Sequence, residues 1–312
     1  MTTFRAQLAF LPLLVLAGAC GEKKPAQEAA EPTTPYQVAD ASGLKTPESV
    51  RYDAAQDLWF VSNINGNPSV KDGNGFILRL QADGRAMDSL PFIEGGKNGV
   101  VLNAPKGMAL VGDTLWVADI DAVRAFNART GAALASIDIK GATFLNDVVA
   151  GPDGSIYITD TGIRFDAKGQ LSHPGPDRLV QVIGSEYKTV ANFDGAPGPN
   201  GIAYDAANQR FLINAFASKN FYAWKPGMAK PDSIGVGAGA GDGLEVLADG
   251  RVLYTSWADS SLSAFANGAS TTLIKGFASP ADIGYDTKRN RVAVPLFNDG
   301  RVVILQLPGT HQ

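Results

Sequence analysis

Cysteine and histidine are scarce in this chain. Among its 312 residues there is one cysteine, Cys20, and there are two widely separated histidines, His173 and His311. A single cysteine excludes a disulfide framework within the chain. So few thiols and imidazoles also exclude a zinc centre made of cysteine ligands and a histidine-rich metal centre.

Charge and long apolar runs are sparse as well. Charged residues make up 19% of the chain, the net charge is −4 and the basic residues do not cluster, so the chain lacks the electrostatic footprint of a nucleic-acid-binding protein. Beyond the N-terminus, no apolar run approaches the roughly 20 residues of a membrane-spanning helix. The hydrophobic fraction of 45% is sufficient for a large core and excludes a disordered chain.

Residues 1–19 have the pattern of an export signal. Arg5 precedes the apolar stretch Leu8 to Leu16, and the small residues Ala17 to Ala19 follow it. This order of a basic residue, an apolar segment and small residues is typical of signal peptides.

Cys20 directly follows this signal. The arrangement resembles the lipobox of bacterial lipoproteins, in which the new N-terminal cysteine is lipidated after cleavage. Because Gly21 and not aspartate comes next, the resemblance implies anchoring in the outer membrane, with the protein facing the periplasm. The alternative is an ordinary cleaved signal with an incidental cysteine. Residues 20–35 are rich in proline and glutamate and predict a flexible tether after the lipidated cysteine.

A unit of two strands recurs six times after the tether. In each copy a short apolar strand leads through an Asp- and Gly-rich turn to a stronger apolar strand. The copies cover residues 47–63, 105–119, 146–160, 199–215, 242–257 and 281–296. Helical periodicity is nearly absent, so residues 36–312 predict one all-β domain, a six-bladed β-propeller. We expect Tyr36 to Ala39 to close the ring as the outer strand of the last blade, beside Arg301 to Leu307.

One position just before the first strand of each copy is of particular interest. The first strand of every propeller blade lines the central channel, so the six equivalent residues meet at one mouth of that channel. They are Glu48, Lys106, Asn146, Asn200, Asp242 and Ala281. Four of the six carry carboxylate or amide oxygens, which are the ligands that calcium prefers. The pattern predicts a divalent cation, calcium, at this ring; the alternative is that Asn-Gly and Asp-Gly merely form turns.

The motifs around these residues resemble the gluconolactonase/regucalcin (senescence marker protein) family and its paraoxonase relatives, over residues 42–307. They are PES at Glu48, FLNDVVAGPDGSIYITD around Asn146, GPNGIAYD around Asn200 and GDGLEVLADG around Asp242. The resemblance implies a propeller with calcium or another divalent ion in the channel mouth and, in many members, hydrolysis of lactones or esters. It places Glu48, Asn146, Asn200 and Asp242 on the family's metal ligands. It also matches Asp147 to a residue that, in the paraoxonase branch, helps to hold a second, structural calcium deeper in the channel.

Lys106 is a departure from that pattern. It stands where paraoxonases carry a histidine of the proposed catalytic dyad, and we interpret His173 and His311 as loop and tail residues. In the regucalcin-like branch the aspartate ligand is the proposed base, which here is Asp242. Beside a dication Lys106 would have a lowered pKa and could accept a proton, which makes it a second candidate base. Alternatively, Lys106 pairs with Glu48 or Asp242 and occupies the place of the cation.

These features predict an envelope-anchored, calcium-dependent hydrolase of lactones or esters. In such a hydrolase the cation polarises the carbonyl while a base activates water. Asn63 and Asp119, which end second strands, are candidate substrate-lining residues, although aspartate at a strand end commonly accepts hydrogen bonds from backbone amides. The alternative is a non-catalytic propeller that binds a ligand or another envelope protein, with a purely structural metal.

Overall fold

The structure, a computed structural model, describes Met1 and residues 34–309. The predicted signal, Cys20 and His311 lie outside the described residues. Within residues 34–309 the regular secondary structure consists of β-strands, and no helix there has the length and hydropathy of a membrane span. The strands are β1 Tyr36–Ser42, β2 Pro47–Asp53, β3 Leu58–Asn63, β4 Phe76–Gln81, β5 Ile93–Glu94, β6 Pro105–Val111, β7 Thr114–Asp119, β8 Ala122–Asn127, β9 Ala133–Asp138, β10 Leu145–Ala150, β11 Ile156–Asp160, β12 Arg164–Phe165, β13 Leu171–Ser172, β14 Arg178–Ile183, β15 Glu186–Asn192, β16 Pro199–Asp205, β17 Arg210–Ala215, β18 Asn220–Trp224, β19 Asp232–Val236, β20 Gly241–Val246, β21 Val252–Ser256, β22 Ser261–Ala266, β23 Ala269–Lys275, β24 Gly284–Asp286, β25 Arg291–Leu296 and β26 Arg301–Gln306.

These strands form six antiparallel sheets of four strands each. The sheets are β2-β3-β4-β5, β6-β7-β8-β9, β10-β11-β14-β15, β16-β17-β18-β19, β20-β21-β22-β23 and β24-β25-β26-β1. The first-named strand of each of the first five sheets contains one of the predicted ring residues, and the inner strands of successive sheets contact one another. The fold is therefore the predicted six-bladed β-propeller. Strands β12 and β13 form a separate hairpin inserted into the third blade.

The ring closes by pairing strands from opposite ends of the propeller. Strand β1 pairs antiparallel with β26, from Tyr36 opposite Gln306 to Ser42 opposite Arg301. This confirms the expected closure, in which β1 becomes the outer strand of the last blade. Near the channel the first and last blades also meet, because the Asp282 amide donates to the Glu48 carbonyl at 2.8 Å.

The hydrophobic core lies between neighbouring blades. Because side chains alternate between the two faces of a strand, each sheet presents one apolar face to the blade before it and one to the blade after it. The interface of blades three and four is an example, in which the rings of Tyr157, Phe211 and Trp224 lie with centroids 4.2 to 5.9 Å apart. This arrangement fills the spaces between sheets with apolar side chains and leaves the channel to polar ones.

Five inner strands carry a β-bulge at the predicted ring. Strand pairing shifts register between Pro47 and Val50, Pro105 and Met108, Leu145 and Val148, Pro199 and Ile202, and Gly241 and Leu244. Each irregular segment contains the ring residue and the residue after it. Bulges re-aim side chains next to functional sites. The bulge in each of these strands therefore explains why two successive residues, and not alternate ones, face the channel region.

Glycine follows the ring residue where inner strands approach each other most closely. A Cβ atom on Gly107 would lie 2.5 Å from the Cα of Asp147, and one on Gly243 would lie 2.7 Å from the Cα of Asp282. Neither glycine has a left-handed φ angle. Glycine at these positions permits close packing of blades. Gly201 and Gly243 both lie within strands and neither has a left-handed φ angle, so the alternative that the Asn-Gly and Asp-Gly dipeptides merely form turns is wrong.

Candidate metal centre and active-site cavity

A cavity of about 260 Å³ lies where the inner strands begin. Its lining includes all five polar residues of the ring, Glu48, Lys106, Asn146, Asn200 and Asp242. They come from the first five blades, so the propeller brings together side chains that span almost 200 positions of the sequence.

The oxygen atoms of the ring are buried, and several lack a partner. Glu48, Asn200 and Asp242 are 3 to 5% exposed. Within the described residues Glu48 Oε2, Asn200 Oδ1 and Asp242 Oδ1 accept no hydrogen bond. Each buried polar atom without a hydrogen-bond partner destabilises the folded protein by about 1–3 kcal/mol. A cluster of such oxygen atoms therefore favours the binding of a partner from outside the chain.

Asn146 completes the set of oxygen donors. Its Nδ2 donates to Thr161 Oγ1 at 3.1 Å, which commits the amide nitrogen to the wall. The set of two carboxylates and two carboxamides fits a hard cation. Among residues 34–309 there is no group of three or more Asp, Glu, His or Cys side chains placed to hold a metal, so any cation here would depend on the two amide oxygens as well.

The electrostatics of the ring favour a positive partner. Burial raises the pKa of the Glu48 carboxyl well above its usual range, and the charges of Asp242 and Asp282 add to the rise while Lys106 opposes it. Burial and the charge of Asp282 likewise raise the pKa of Asp242, and the neighbouring Trp257 and Asn200 side chains act in the opposite direction. A cation bound between these carboxylates would reverse both shifts.

Lys106 lies on the cavity wall and is fully buried. Its Nζ donates to the carbonyl of Ala104 at 3.0 Å and lies 4.2 Å from the centre of the Phe144 ring. Burial lowers the pKa of Lys106 to about 8, against the opposing charges of Glu48 and other carboxylates. The alternative in which Lys106 replaces the cation requires an ion pair with Glu48 or Asp242, and the described side chains do not form one.

Asp147 belongs to a second tier of charged side chains next to the ring. The other members are Glu245, Asp282 and the positively charged Arg51. Arg51 Nη1 donates to Glu245 Oε1 at 2.5 Å, while Nη2 lies 3.5 Å from Asp282 Oδ2 and 4.0 Å from Asp147 Oδ1. Asp147 does not line the cavity, and its Oδ2 accepts a hydrogen bond from the Ile202 amide at 2.8 Å. The cation that the structure places against Asp147 is thus a guanidinium, and we leave Asp147 out of the ligand set proposed below.

Sequence reasoning missed three members of this tier, Arg51, Glu245 and Asp282. Asp282 is detectable from the repeats, because the residue after each ring position is Ser49, Gly107, Asp147, Gly201, Gly243 and Asp282. Burial raises the pKa of Asp282 to about 6 and that of Glu245 to about 7, with the charge of Arg51 opposing both.

Asn63 and Asp119 lie behind the cavity wall. Both are fully buried, and neither is among the lining residues. Asp119 Oδ1 accepts hydrogen bonds from the amides of Asn103 and Ala104, and Asn63 Oδ1 accepts one from the Lys45 amide. Their position corrects the expectation that they line the substrate site: they hold the loop that leads into their own inner strand.

A related position supports the bulges. In four blades, the side chain of the residue before the end of the second strand accepts a hydrogen bond from the amide of the residue that follows the ring position. The pairs are Ser49 with Ser62, Asp147 with Thr159, Gly201 with Asn214 and Gly243 with Thr255, at 2.9 to 3.0 Å. The hydroxyls of Thr159 and Thr255 also donate to carbonyls of the next inner strand. These side chains hold the ring in place and do not line it.

The residue that follows the second strand forms the cavity rim. In the last three full repeats it is aromatic, namely Phe216, Trp257 and Phe297, and all three line the cavity. The ring of Trp257 lies 5.5 Å from that of Phe216 and 5.4 Å from that of Phe297. Their amides donate to Gly198, Ala240 and Ser279, just before the inner strand of the same blade. In the sequence, the signal for these three residues is that aromatic side chains occupy the same position in successive repeats.

The β12–β13 hairpin covers part of the same cavity. Its Phe165, together with Ile163 before it, lines the wall. The hairpin reaches the first blade, because Asn67 Nδ2 donates to the Asp166 carbonyl at 2.8 Å and the Phe165 amide donates to Ser69 Oγ at 3.0 Å.

His173 lies at the base of this hairpin. Its Nε2 is 2.6 Å from Asp177 Oδ1, and it is not a cavity residue. No histidine lines the cavity among residues 34–309.

With this geometry in place, comparison with known sequences becomes informative. The profile of the SMP-30/gluconolactonase/LRE-like region matches residues 46–282, which span the ring in all six blades. The chain belongs to this family. No curated protein matches it.

Solved structures show how widely the fold of this SMP-30/gluconolactonase-like chain occurs. A gluconolactonase from Xanthomonas campestris is 18% identical, with a TM-score of 0.64 over 88% of this chain and 89% of that one. A protein provisionally assigned as a gluconolactonase is 15% identical, with a TM-score of 0.65 over 91% and 95%. A chain from a nidogen/laminin complex is 16% identical, with a TM-score of 0.55 over 71% and 76%. At these identities the likeness is one of fold.

Proposed function

We propose that the protein is a divalent-cation-dependent hydrolase of lactones or esters, with calcium as the cation. The observation that carries the proposal is the ring, in which Glu48, Asn200 and Asp242 each have a buried oxygen atom without a hydrogen-bond partner and line one cavity together with Asn146. Two formal negative charges and two amide oxygens suit calcium, which accepts six to eight oxygen ligands in flexible geometry. Membership of the SMP-30/gluconolactonase/LRE-like family supports the same reaction class.

The residues of the chain would divide the chemical work. A bound dication supplies the charge that polarises the substrate carbonyl and stabilises its developing negative oxygen. Asp242 accepts a proton from the attacking water, whose oxygen bonds to the acyl carbon. The acyl C–O bond then breaks, and the proton passes to the departing alkoxide, so that the products are a carboxylic acid and an alcohol. Lys106, whose Nζ is fixed on the cavity wall, contacts the oxyanion.

A calcium titration tests the ring first. Calcium that binds the native state alone raises stability by about 2.7 kcal/mol at a hundred times its Kd, so the melting temperature should increase with calcium concentration. Glu48→Gln and Asp242→Asn should each weaken this increase, because each removes one of the two formal charges. Asp138→Asn, on the exposed outer strand β9, is the matched control. If both ring variants respond to calcium as the parent does, the ring is not the cation site.

Hydrolysis is then measured on a panel of lactones and aryl esters with and without a chelator. Turnover that requires the cation and falls in Asp242→Asn supports the proposal. The absence of a histidine from the lining residues favours one other candidate, a propeller that binds a ligand or envelope protein without turnover. Calcium binding with no hydrolysis of any member of the panel would point to that candidate.

We further propose that the protein acts in the bacterial envelope, anchored through Cys20. This part of the proposal is supported by the pattern of residues 1–20 alone.

A further inference from the structure

The cavity wall above the ring is apolar. Phe165, Phe216, Trp257 and Phe297 all contribute to it. Beyond the ring residues, two described lining residues carry a polar group. Asn298 Nδ2 already donates to Ser279 Oγ at 2.6 Å, and the indole Nε1 of Trp257 has no hydrogen-bond partner among the described residues. A substrate whose carbonyl reaches the ring must therefore place most of its other atoms against aromatic and aliphatic carbon.

This wall disfavours a sugar lactone. A polyhydroxylated ring carries hydroxyl groups that lose their water partners on entering the cavity. The aromatic side chains offer them one donor in exchange, the indole Nε1 of Trp257, and no acceptor. Each hydroxyl left unpaired would lower the affinity about fivefold or more, and several hydroxyls would multiply that loss.

The same wall favours a hydrocarbon substituent. Each methylene that moves from water into an apolar site raises the affinity about fourfold. The cavity of about 260 Å³ is slightly smaller than the range of about 300–1,000 Å³ found for small-molecule sites. Asn67 donates a hydrogen bond to the β12–β13 hairpin and Ser69 accepts one from it. These bonds hold Phe165 across the cavity, which limits the length of the substituent.

We infer that the substrate is a small lactone or ester with an alkyl or aryl substituent, and not a polyhydroxylated sugar lactone. The carbonyl faces the ring and the substituent packs against Phe165, Phe216, Trp257 and Phe297. This inference rests on the proposed hydrolase function. The reaction is hydrolysis of the acyl C–O bond, in which water adds to the acyl carbon and the alcohol oxygen leaves with a proton.

The first test compares substrates. In the presence of calcium, kcat/KM is measured for γ-lactones with no substituent and with methyl, propyl and pentyl groups, and for glucono-δ-lactone. We expect kcat/KM to rise about fourfold per added methylene until the cavity is full, and glucono-δ-lactone to be the poorest substrate. Hydrolysis of glucono-δ-lactone as fast as or faster than that of the alkyl lactones would overturn the inference while leaving the hydrolase function intact.

The second test locates the apolar contacts. Phe165→Ala and Trp257→Ala should each flatten the dependence of kcat/KM on chain length, because they remove part of the wall that the substituent covers. Phe92→Ala is the matched control, since Phe92 packs against Phe60 and Arg79 away from the cavity and should leave the dependence unchanged. An unchanged dependence in both wall variants would also overturn the inference.

Binding without turnover separates the two proposals. The matching γ-lactams have the same shape but resist hydrolysis, and their affinity is measured by calorimetry. Lactam affinity that increases with chain length, in a protein that hydrolyses no lactone, supports the ligand class and refutes the hydrolase. Lactams that do not bind, or that bind with no preference for longer chains, would refute the inference by a route independent of catalysis.

Discussion

Arg51→Met should turn the second tier of the channel into an additional cation site. In the parent, the guanidinium lies between Asp147, Glu245 and Asp282, and its side chain is 19% exposed. Methionine keeps much of the apolar stem and removes the charge. In the parent these three carboxylates are not placed to hold a metal, because the guanidinium lies between them. Without it they form an uncompensated buried cluster, which is costly, and they are free to close on calcium, which accepts oxygen ligands in flexible geometry.

The size of the effect follows from these contacts. Removing one partner of a buried ion pair typically costs about 3–5 kcal/mol. The cost should lie at the lower end here and shrink at low pH, because burial already raises the pKa of Asp282 to about 6 and that of Glu245 to about 7, so that protons replace the lost charge. Calcium at a hundred times its Kd would return about 2.7 kcal/mol, which is most of the loss.

Urea unfolding followed by tryptophan fluorescence measures the loss, and calorimetry measures the calcium stoichiometry. We expect one calcium per parent molecule and two per Arg51→Met molecule, with the variant's stability restored by calcium. Arg178→Met is the matched control, because Arg178 is also mostly buried, with its side chain 11% exposed, but pairs with one carboxylate, that of Asp160, at 3.1 Å. It should be destabilised without rescue. An Arg51→Met variant that loses less than about 1 kcal/mol, or that calcium does not rescue, would refute the predicted cation site in the second tier.

Three further predictions concern other parts of the molecule. Lys106→Met should retain or strengthen calcium binding, because a repulsive charge is removed, while lactone or ester hydrolysis falls by the roughly 10²–10⁴-fold typical of acid–base groups. Lys97→Met, at an exposed position, is the control. Undiminished hydrolysis in Lys106→Met would show that Lys106 takes no part in the reaction. The free energy of unfolding of the cation-free protein should fall between about pH 5 and pH 7. The reason is that Asp282 and Glu245 have folded-state pKa values of about 6 and about 7, above the ordinary values of 3.8 and 4.5. The native state therefore holds more protons than the unfolded state in that window. Urea titrations at several pH values measure the free energy of unfolding, and an increase of this free energy with pH would contradict the prediction. Cys20→Ser should move the protein from the membrane fraction to the soluble fraction, as seen by fractionation and immunoblotting; membrane association that survives the change would contradict lipidation.

Strand order and blade count were predictable because their causes are local. Alternation of apolar residues and tight Asp-Gly turns mark each two-strand unit in a single stretch of chain. Comparing the six copies then identified Glu48, Asn146, Asn200 and Asp242 as one ring, since equivalent residues of a closed repeat meet at its axis. Pairing of β1 with β26 followed from the closure of a propeller ring, which needs a strand from one end of the domain beside the strands of the other end.

Tertiary structure alone decided what each polar residue near the channel does. The sequence makes Asp119 and Asn63 candidates for the cavity wall. In the structure their side-chain oxygen atoms instead accept hydrogen bonds from backbone amides that lie outside the two-strand units. Arg51 lies 194 positions from Glu245 and 231 from Asp282, and nothing in its own repeat signals that it meets them. Such pairings depend on which side chains the bulges turn inward and on how closely the glycines let the blades approach. Those are properties of the assembled ring, and no single repeat contains them.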